Sequence, residues 1–535
     1  MHHDFSNALR HPSIAIVGGG SVGTSFLRQL AERLSSSNDR AVVKRVVLFE
    51  PSPNPGAGAA YQADVSSNLL NTRVASMSPI ASDPEHFYRW LLNEAELWRP
   101  QFPNLQPTAD AFVPRSLFGL YLEQVFNEAV QVLRLHGIEF KHIQSRASSI
   151  ERVGSQYMIS TDSGGSLQST AVVLTIGNLQ TSSWAHLQGR NGYFHTPYPC
   201  TRLLAEIDPS ESVCILGSSL SAIDAAVALA DSGHKGKITM LSRHGRLPSV
   251  RGEHNLTRQP QLLSRERMKH LLEQRGAGTL TLQEIAQMLL KELELVQGCV
   301  PRLEQILRAG KAPHHYLDLE IMDAQTHDRT WQAIVYALND SIDLIWHLLS
   351  NKEKRIFQQH FQSQWLAYRV SFPIENAKKI QALLHTGQIT VLGGCSSVRW
   401  DEALSSFAVS MTDARQKTAA TFFTDKLINA TGYGTDVRLC HSPLLRDMLA
   451  RELLSPNEFG GVLLDFDSGR ALSKSGMPQH GLYAMGSLAA GIYFWTNAMN
   501  VNTRLAAGVV DHVVEDCLRA RHAAPQHIES PSVVA

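Results

Sequence analysis

The sequence predicts an α/β fold with two similar parallel-sheet units and a helical insertion. Near the N-terminus, the apolar run Ile14 to Val17 leads into a glycine-rich turn, and a helical pattern follows. The same order of strand, turn and helix returns at residues 212–224. Between residues 255 and 370 the apolar residues recur at helical spacing instead. Strand–turn–helix units of this kind are typical of Rossmann-like dinucleotide-binding domains, so we expect two such domains and a helical insertion.

The first glycine-rich turn has the spacing that a bound dinucleotide requires. Gly18 permits a tight turn, Gly20 lets a pyrophosphate approach the backbone, and Gly23 lets the helix pack against the strand. The phosphates are then expected at a helix N-terminus, where free N–H groups favour negative charge. A second strand, residues 42–49, ends in Glu50, whose carboxylate is placed to bind a ribose hydroxyl. The alternative is a glycine-rich turn with an incidental acid at a strand end.

The second turn reads Gly217-x-Ser219-x-x-Ala222. Alanine is acceptable at the third position, whereas serine at the second departs from the pattern. The following strand ends in Ser242 and Arg243, where a site for NAD usually has an acid. A guanidinium binds a phosphate through paired hydrogen bonds, so this pair predicts NADPH as the coenzyme. The alternative is that Arg243 is a solvated surface arginine.

The patterns divide the chain into three segments. Residues 1–200 supply the first part of the first dinucleotide-binding domain, including a β-rich stretch with a two-residue period at about 145–173. Residues 201–380 supply the second domain with its helical insertion at 255–370, which either shapes a pocket or only adds packing. Residues 381–535 return to the first domain and end in a C-terminal helix.

Composition excludes several classes of protein. The chain has 535 residues with 49 basic and 49 acidic side chains and no long run of one charge, so we expect neither nucleic acid nor a membrane as partner. No apolar run approaches the roughly 18 residues of a membrane span, and no signal peptide is visible, so we expect a cytoplasmic protein. The six cysteines include no C-x-x-C pair, which argues against zinc and a redox-active disulfide; we expect no metal. A homo-oligomer remains possible.

Three further stretches carry a family resemblance. Residues 425–433, Asp-Lys-Leu-Ile-Asn-Ala-Thr-Gly-Tyr, resemble the D-x-x-x-L/F-A-T-G-Y signature of flavin-dependent N-hydroxylating monooxygenases, with Asn429 at the Leu/Phe position. Residues 194–199 match part of a histidine motif of class B flavin monooxygenases, and residues 482–498 resemble the segment that closes their FAD site. With the stretches at 56–61, 68–71 and 242–245, the pattern is similar to the bacterial FAD-NAD(P)-binding family related to those enzymes.

The resemblance implies FAD in the first site and NADPH in the second. It further implies that the enzyme hydroxylates the amine of an amino acid or related small amine with O₂, through a C4a-(hydro)peroxyflavin. We expect the amide of Asn71 to lie beside the flavin, and Arg115 and Arg369 to bind a substrate carboxylate or a cofactor phosphate. The alternatives are turn capping for Asn71 and structural ion pairs for the two arginines.

The expected cofactor-binding residues belong to the two glycine-rich turns, the strand ends beside them and the closing segment. They are Gly18, Gly20, Gly23, Glu50, Tyr61, Asn71, Gly177, Asn178, Gly217, Ser219, Ala222, Ser242, Arg243, Gly486, Thr496 and Asn497. Two other functions remain open: an NADPH:acceptor oxidoreductase that transfers no oxygen, and a flavin-binding scaffold with a degenerate second site. Ser219 alone favours the scaffold.

Overall fold

The computed structural model describes residues 11–36, 42–252, 258–299, 302–412 and 419–523, so residues 255–257 and 300–301 of the expected insertion lie outside it. The strands, in chain order, are β1 (Ser13–Val17), β2 (Arg45–Phe49), β3 (Glu139–Ile143), β4 (Ala147–Val153), β5 (Gln156–Thr161), β6 (Ser166–Ser169), β7 (Ala171–Leu174), β8 (Tyr193–Phe194), β9 (Val213–Leu216), β10 (Ile238–Ser242), β11 (Ser249–Val250), β12 (Ser371–Phe372), β13 (Ile389–Gly393), β14 (Cys395–Asp401), β15 (Ser406–Thr412), β16 (Ala419–Thr424), β17 (Lys426–Asn429), β18 (Arg470–Leu472) and β19 (Pro478–Ala484).

The α-helices are α1 (Ser21–Ser36), α2 (Gly58–Tyr61), α3 (His86–Asn93), α4 (Ala95–Trp98), α5 (Arg115–Leu135), α6 (Cys200–Glu206), α7 (Leu220–Asp231), α8 (Arg265–Arg275), α9 (Leu282–Gln297), α10 (Leu303–Leu307), α11 (Pro313–Thr326), α12 (Thr330–Ala337), α13 (Ile342–Leu348), α14 (Asn351–Ile356), α15 (Gln362–Arg369), α16 (Ile374–His385), α17 (Pro443–Ala450), α18 (Ala490–Tyr493) and α19 (Met499–Ala523). A π-helical turn, Phe357–Phe361, joins α14 to α15.

The first sheet has the strand order β18-β19-β7-β1-β2-β3. Its strands run parallel except for the edge strand β18. All five residues of β1 are buried because the sheet is covered on both faces. Ile14 and Ile16 pack with residues of α1, α5 and α19, whereas Ala15 and Val17 pack with residues of α17 and the strands β4 and β5. The continuous apolar run that predicted this strand therefore reflects its two buried faces.

The second sheet is parallel throughout, with the order β13-β10-β9-β17-β8. Three of its strands come from outside the predicted 201–380 segment. β8 precedes that segment, and β13 and β17 follow it. The sheet therefore extends beyond the predicted segment on both sides, because the chain returns to pair with β9 and β10 after the helical insertion.

The two sheets repeat one connection pattern. In each, a central strand leads through a glycine-rich turn and a helix to a neighbouring parallel strand. A three-stranded antiparallel meander, β4–β6 or β14–β16, then precedes the return strand β7 or β17 on the other side of the central strand. The predicted α/β class with two dinucleotide-type units is confirmed.

Helices α8–α15 form the insertion between β11 and β12, which pair in parallel. The sequence Thr281-x-x-Glu284 has the pattern of a capping box, and helix α9 begins with that capping box. The insertion packs on the closing segment of the first domain, where Trp346 Nε1 donates to the carbonyl oxygen of Gly491 at 2.9 Å. The ring of Trp346 also stacks on Phe494, with centroids 4.5 Å apart. The insertion is thereby tied to the wall of the cleft described next.

Candidate functional site

A cleft of about 1660 Å³ is lined by residues of both dinucleotide-type units, the insertion and the closing segment. It brings together many of the predicted site residues: Tyr61, Asn71, Arg115, Asn178, Gly217, Ser219, Ser242, Arg243, Arg369, Thr496 and Asn497. The other predicted residues do not line it: Gly18, Gly20, Gly23, Glu50, Gly177, Ala222 and Gly486.

The first glycine-rich turn has no space for a Cβ at two of its three glycines. Gly18 has φ +106°, and a Cβ there would lie 2.3 Å from the carbonyl oxygen of Thr175. A Cβ on Gly23 would lie 2.2 Å from the carbonyl oxygen of Gly18. At Gly20 a Cβ would meet only the Cα of Gly58, at an ordinary 3.5 Å. The fold itself therefore requires glycine at the first and third positions. At the second position the protein has room for a Cβ, so a substitution there tests cofactor binding without disturbing the fold.

The carboxylate of Glu50 is fixed at the end of β2 beside the glycine-rich turn. One oxygen accepts a hydrogen bond from the N–H of Gly19 at 2.8 Å, and the other accepts from the N–H of Ser52 at 2.9 Å. A carboxylate offers about four acceptor positions, so these two bonds leave capacity for ribose hydroxyls. The geometry fits the predicted role of Glu50.

The loop after Glu50 packs over the glycine-rich turn. The N–H of Gly56 donates to the carbonyl oxygen of Gly19 at 2.7 Å. Tyr61 ends α2 on the cleft wall, with its ring edge-on to Phe118. A Cβ on Gly119 would lie 2.0 Å from the carbonyl oxygen of Tyr61, so the loop can pack this closely against α5 only because residue 119 is glycine. Sequence reasoning missed Gly119, although an isolated glycine inside a helical pattern is a recognised signal of close packing.

The second turn reproduces the geometry of the first. Gly217 has φ +126°, and a Cβ there would lie 2.4 Å from the carbonyl oxygen of Ala430. Ser219 directly precedes α7, is exposed, and makes no side-chain capping bond. Ala222 is fully buried at the position of the third glycine. The N-terminus of α7 is therefore open to a phosphate at the cleft wall.

Beside this turn lie the residues predicted to select the coenzyme. The hydroxyl of Ser242 accepts hydrogen bonds from Ser218 Oγ at 2.9 Å and from the N–H of Gly245 at 3.0 Å. Arg243 is exposed on the cleft wall, and within the described part of the chain no carboxylate pairs with it. Arg246, which the sequence reasoning did not select, is exposed on the same wall. Two cations beside a helix N-terminus fit a phosphorylated ribose.

Arg115 joins the two dinucleotide-type units. Its Nη1 lies 2.7 Å from Oδ2 of Asp224 on α7 and donates to the hydroxyl of Tyr198 at 2.9 Å. The Tyr198 hydroxyl in turn donates to Asp224. Burial disfavours the charge on Arg115, but the Asp224 carboxylate together with Tyr198 and Tyr61 outweighs it, and the pKa of Arg115 lies above its usual value. This arrangement favours the structural alternative for Arg115 over direct binding of substrate.

Arg369 is placed differently. It is 4% exposed and donates a hydrogen bond to the side-chain oxygen of Asn339. Its guanidinium lies over the rings of Tyr336 and Trp495, 4.1 and 4.8 Å from their centroids. Burial lowers the pKa of Arg369 to about 10. No carboxylate pairs with it among the residues described, so the ion-pair alternative is not favoured here.

Asn71 lies half-buried on the cleft wall, in a loop held from both sides. The neighbouring Arg73 donates to the carbonyl oxygen of Asp110 at 2.9 Å and to that of Gly252 at 2.6 Å. Among the described residues the Asn71 amide has no hydrogen-bond partner, so turn capping is not favoured. Its amide is available to a bound group.

The closing segment meets the first domain at the cleft. Gly486 has φ +64°, and the hydroxyl of the next residue, Ser487, donates to the carbonyl oxygen of Gly177. The carbonyl oxygen of Thr496 accepts from Asn502 Nδ2 at 2.6 Å, and α19 begins three residues after Thr496. Phe494 has φ +64° without being glycine, a conformation that costs on the order of 1–3 kcal/mol. Such strain is concentrated at functional sites.

Asn429, the departure from the family signature, has a definite role. Its side-chain oxygen accepts from the N–H and the hydroxyl of Thr431, at 3.2 and 2.7 Å. Its Nδ2 donates to the carbonyl oxygen of Ser183 at 3.2 Å. A leucine or phenylalanine could make none of these bonds. The asparagine therefore fixes the turn after β17 by polar contacts.

Some kinds of site are not found in the described ranges. No group of three His, Cys, Asp or Glu side chains there is placed to hold a metal ion. The six cysteines are all unpaired, and four of them are buried. No helix among the described residues is long and apolar enough to cross a membrane.

Residues 15–179 match the model of the FAD-NAD(P)-binding family. Among curated proteins, the nitrosuccinic acid synthase npaA of Aspergillus oryzae is 31% identical over 288 residues, which span 50% of this chain and 41% of that protein. The match thus covers less than half the length of this relative.

Solved structures share the fold over nearly the whole chain. The ornithine hydroxylase PvdA from Pseudomonas aeruginosa superposes with a TM-score of 0.56 at 13% identity, covering 95% of this chain and 99% of that one. The L-lysine 6-monooxygenase from Pseudomonas syringae gives a TM-score of 0.56 at 14% identity, with the same coverage. At these identities the comparison establishes the fold.

Proposed function

We propose that this chain, whose residues 15–179 belong to the FAD-NAD(P)-binding family, is an FAD- and NADPH-dependent monooxygenase. It hydroxylates the amine nitrogen of an amino acid or related small amine. The observation that carries the proposal is the repeated turn geometry at Gly18 and Gly217, set in two units that share one cleft. Each turn would hold the pyrophosphate of one dinucleotide, FAD at Gly18 and NADPH at Gly217.

That geometry supports an assignment of residues to each cofactor. FAD would lie along the first turn, with Glu50 on its ribose and the segment around Thr496 at its ring end. NADPH would lie with its pyrophosphate at Ser219 and its 2′-phosphate at Arg243. When bound, the flavin takes hydride from NADPH and activates O₂, chemistry that belongs to the cofactor.

The protein's own contribution is to exclude water and to orient groups. An aromatic wall of Phe459, Phe494, Trp365 and Trp495 lines the cleft beside the closing segment. Such a wall keeps bulk water from the reacting centre, where it would divert reduced oxygen. The unpartnered amide of Asn71 supplies a fixed donor to the oxygen that accepts charge during transfer.

The comparisons support nitrogen oxidation. The structures of similar fold are named as an ornithine hydroxylase and a lysine monooxygenase. The fungal relative is named for nitrosuccinic acid, a compound with two carboxyl groups and an oxidised nitrogen. Both kinds of name fit oxidation of an amine carried by a small acid.

The test is NADPH consumption by the FAD-loaded protein with and without candidate amines, with products identified by mass spectrometry. The proposal expects amine-dependent consumption and an N-hydroxylated or further oxidised product. Consumption only with artificial electron acceptors would support an NADPH:acceptor oxidoreductase instead. No consumption with any amine or acceptor would favour a flavin-binding scaffold.

A further inference from the structure

Two arginines share one aromatic ring in the cleft. The guanidinium carbon of Arg251 lies 3.5 Å from the ring centroid of Tyr336, and that of Arg369 lies 4.1 Å from the same centroid. All three side chains line the cleft. Arg251 directly follows β11, and Arg369 is the last residue of α15, so the two enclose the insertion.

Neither guanidinium is neutralised within the described part of the chain. Arg369 bonds the neutral amide of Asn339, and Nη1 of Arg251 is buried without a hydrogen-bond partner. Arg504, on the same cleft, shows the contrast, since both its terminal nitrogens lie 3.1 Å from carboxylate oxygens of Asp343. Buried cations are costly unless an anion pairs with them.

The surroundings of Tyr336 reflect the excess of positive charge. Burial by itself raises the pKa of this phenol, but the two neighbouring guanidinium groups outweigh it, and the pKa lies below its usual value. The hydroxyl of Tyr336 is held by Ser371 Oγ at 2.6 Å. The ring is therefore a fixed platform between two cations.

The location separates this pair from the coenzyme phosphates. Arg369 also lies over Trp495, the residue before Thr496 in the closing segment. Gly252, next to Arg251, accepts the hydrogen bond from Arg73 that anchors the Asn71 loop. The pair thus adjoins the two segments assigned to the flavin ring, whereas Arg243 and Arg246 adjoin the second glycine-rich turn.

We infer that Arg251 and Arg369 bind the carboxylates of the substrate and select an acidic, dicarboxylic amino acid over a diamine. The inference rests on the proposed function and names its substrate class. Guanidinium groups bind carboxylates through paired hydrogen bonds, and two of them can hold two carboxylates while the amine faces the flavin. Among the described residues, the cleft wall also carries eight arginines, namely Arg115, Arg243, Arg246, Arg251, Arg258, Arg369, Arg438 and Arg504, against three acids, namely Asp340, Asp436 and Glu458.

The experiment is calorimetric titration of the FAD-loaded protein with aspartate, with succinate and with ornithine. We expect aspartate and succinate to bind and ornithine to bind at least about ten-fold more weakly, since charged hydrogen bonds of this kind are worth roughly ten- to a hundred-fold in affinity. Arg369→Gln and Arg251→Gln should each weaken the binding of aspartate by a similar factor. Arg438→Gln is the matched control, because Arg438 lines the same cleft but is exposed and paired with Asp436 at 2.7 Å.

Tighter binding of ornithine than of either dicarboxylate overturns the inference without any variant, so it can be tested even if a variant fails to fold. Weaker NADPH binding with unchanged aspartate binding in Arg369→Gln also overturns it, since the pair would then serve a cofactor phosphate. If aspartate binds through both arginines but no oxidised product forms, the inference stands and the proposed function fails.

Discussion

The ion pair between Arg115 and Asp224 should be a major link between the two dinucleotide-type units. Its nitrogen and oxygen lie 2.7 Å apart, with side chains only 19% and 5% exposed. Asp224→Asn keeps the size of the side chain and removes its charge, which leaves Arg115 unpaired in a buried site. Breaking a buried pair in this way costs about 3–5 kcal/mol in the free energy of unfolding. Because Arg115 is partly exposed, we expect a loss of about 3 kcal/mol.

The same helix supplies the control. Asp231, the last residue of α7, pairs with Lys379 at the same 2.7 Å, but the two side chains are 41% and 42% exposed. Exposed pairs contribute about 0–1 kcal/mol, so Asp231→Asn should change the free energy of unfolding by less than about 1 kcal/mol. Urea titration followed by tryptophan fluorescence measures the free energy of unfolding of both variants. Equal losses in the two variants would refute the reasoning that burial makes the Asp224 pair important.

Four other variants test the fold, the cofactor sites and the reaction. Gly23→Ala should destabilise the protein by about 1–3 kcal/mol in urea titration, because its Cβ would meet the Gly18 carbonyl at 2.2 Å. Gly20→Ala should leave the stability of the cofactor-free protein unchanged but lower the ratio of flavin to protein absorbance. Arg243→Gln should raise the KM for NADPH by roughly ten- to a hundred-fold and leave that for NADH unchanged. Asn71→Ala should reduce its flavin normally but lose roughly a hundred-fold in oxygen transfer, seen as hydrogen peroxide in place of hydroxylated product.

A loss of stability below about 1 kcal/mol in Gly23→Ala would mean that the turn can accommodate a side chain at this position. The other three variants also have a clear contrary result. Full flavin occupancy in Gly20→Ala would mean that the first turn does not hold FAD. Equal losses with both coenzymes in Arg243→Gln would mean that Arg243 does not bind the 2′-phosphate. Slow flavin reduction with normal product yield in Asn71→Ala would place Asn71 elsewhere in the cleft.

The local parts of the fold could be predicted because their causes are local. Gly23 is required by a contact with Gly18 in the same strand–turn–helix unit, and the capping box at Thr281 spans four residues. The extent of the second sheet could not be predicted as easily. Strands β8 and β17 pair with each other although more than two hundred residues separate them, and no short pattern records that pairing.

The same distinction applies to the site. Arg115 was expected to bind a substrate carboxylate or a cofactor phosphate, with an ion pair as the alternative, but its partner Asp224 lies on a helix of the other unit and could not be identified from the sequence. Arg251 was missed because it follows the two-residue strand β11 without a recognisable motif. Burial without a carboxylate, which distinguishes Arg369 from Arg504, is a property of the folded chain alone.

The central claim is that oxygen from O₂ reaches the substrate nitrogen. The direct measurement is turnover of the FAD-loaded protein with NADPH and aspartate under ¹⁸O₂, with the product analysed by mass spectrometry. We expect ¹⁸O in the oxidised nitrogen group of the product and NADPH consumption that depends on aspartate. NADPH consumption with all of the ¹⁸O recovered as hydrogen peroxide or water, for aspartate and every other amine tried, would contradict the claim.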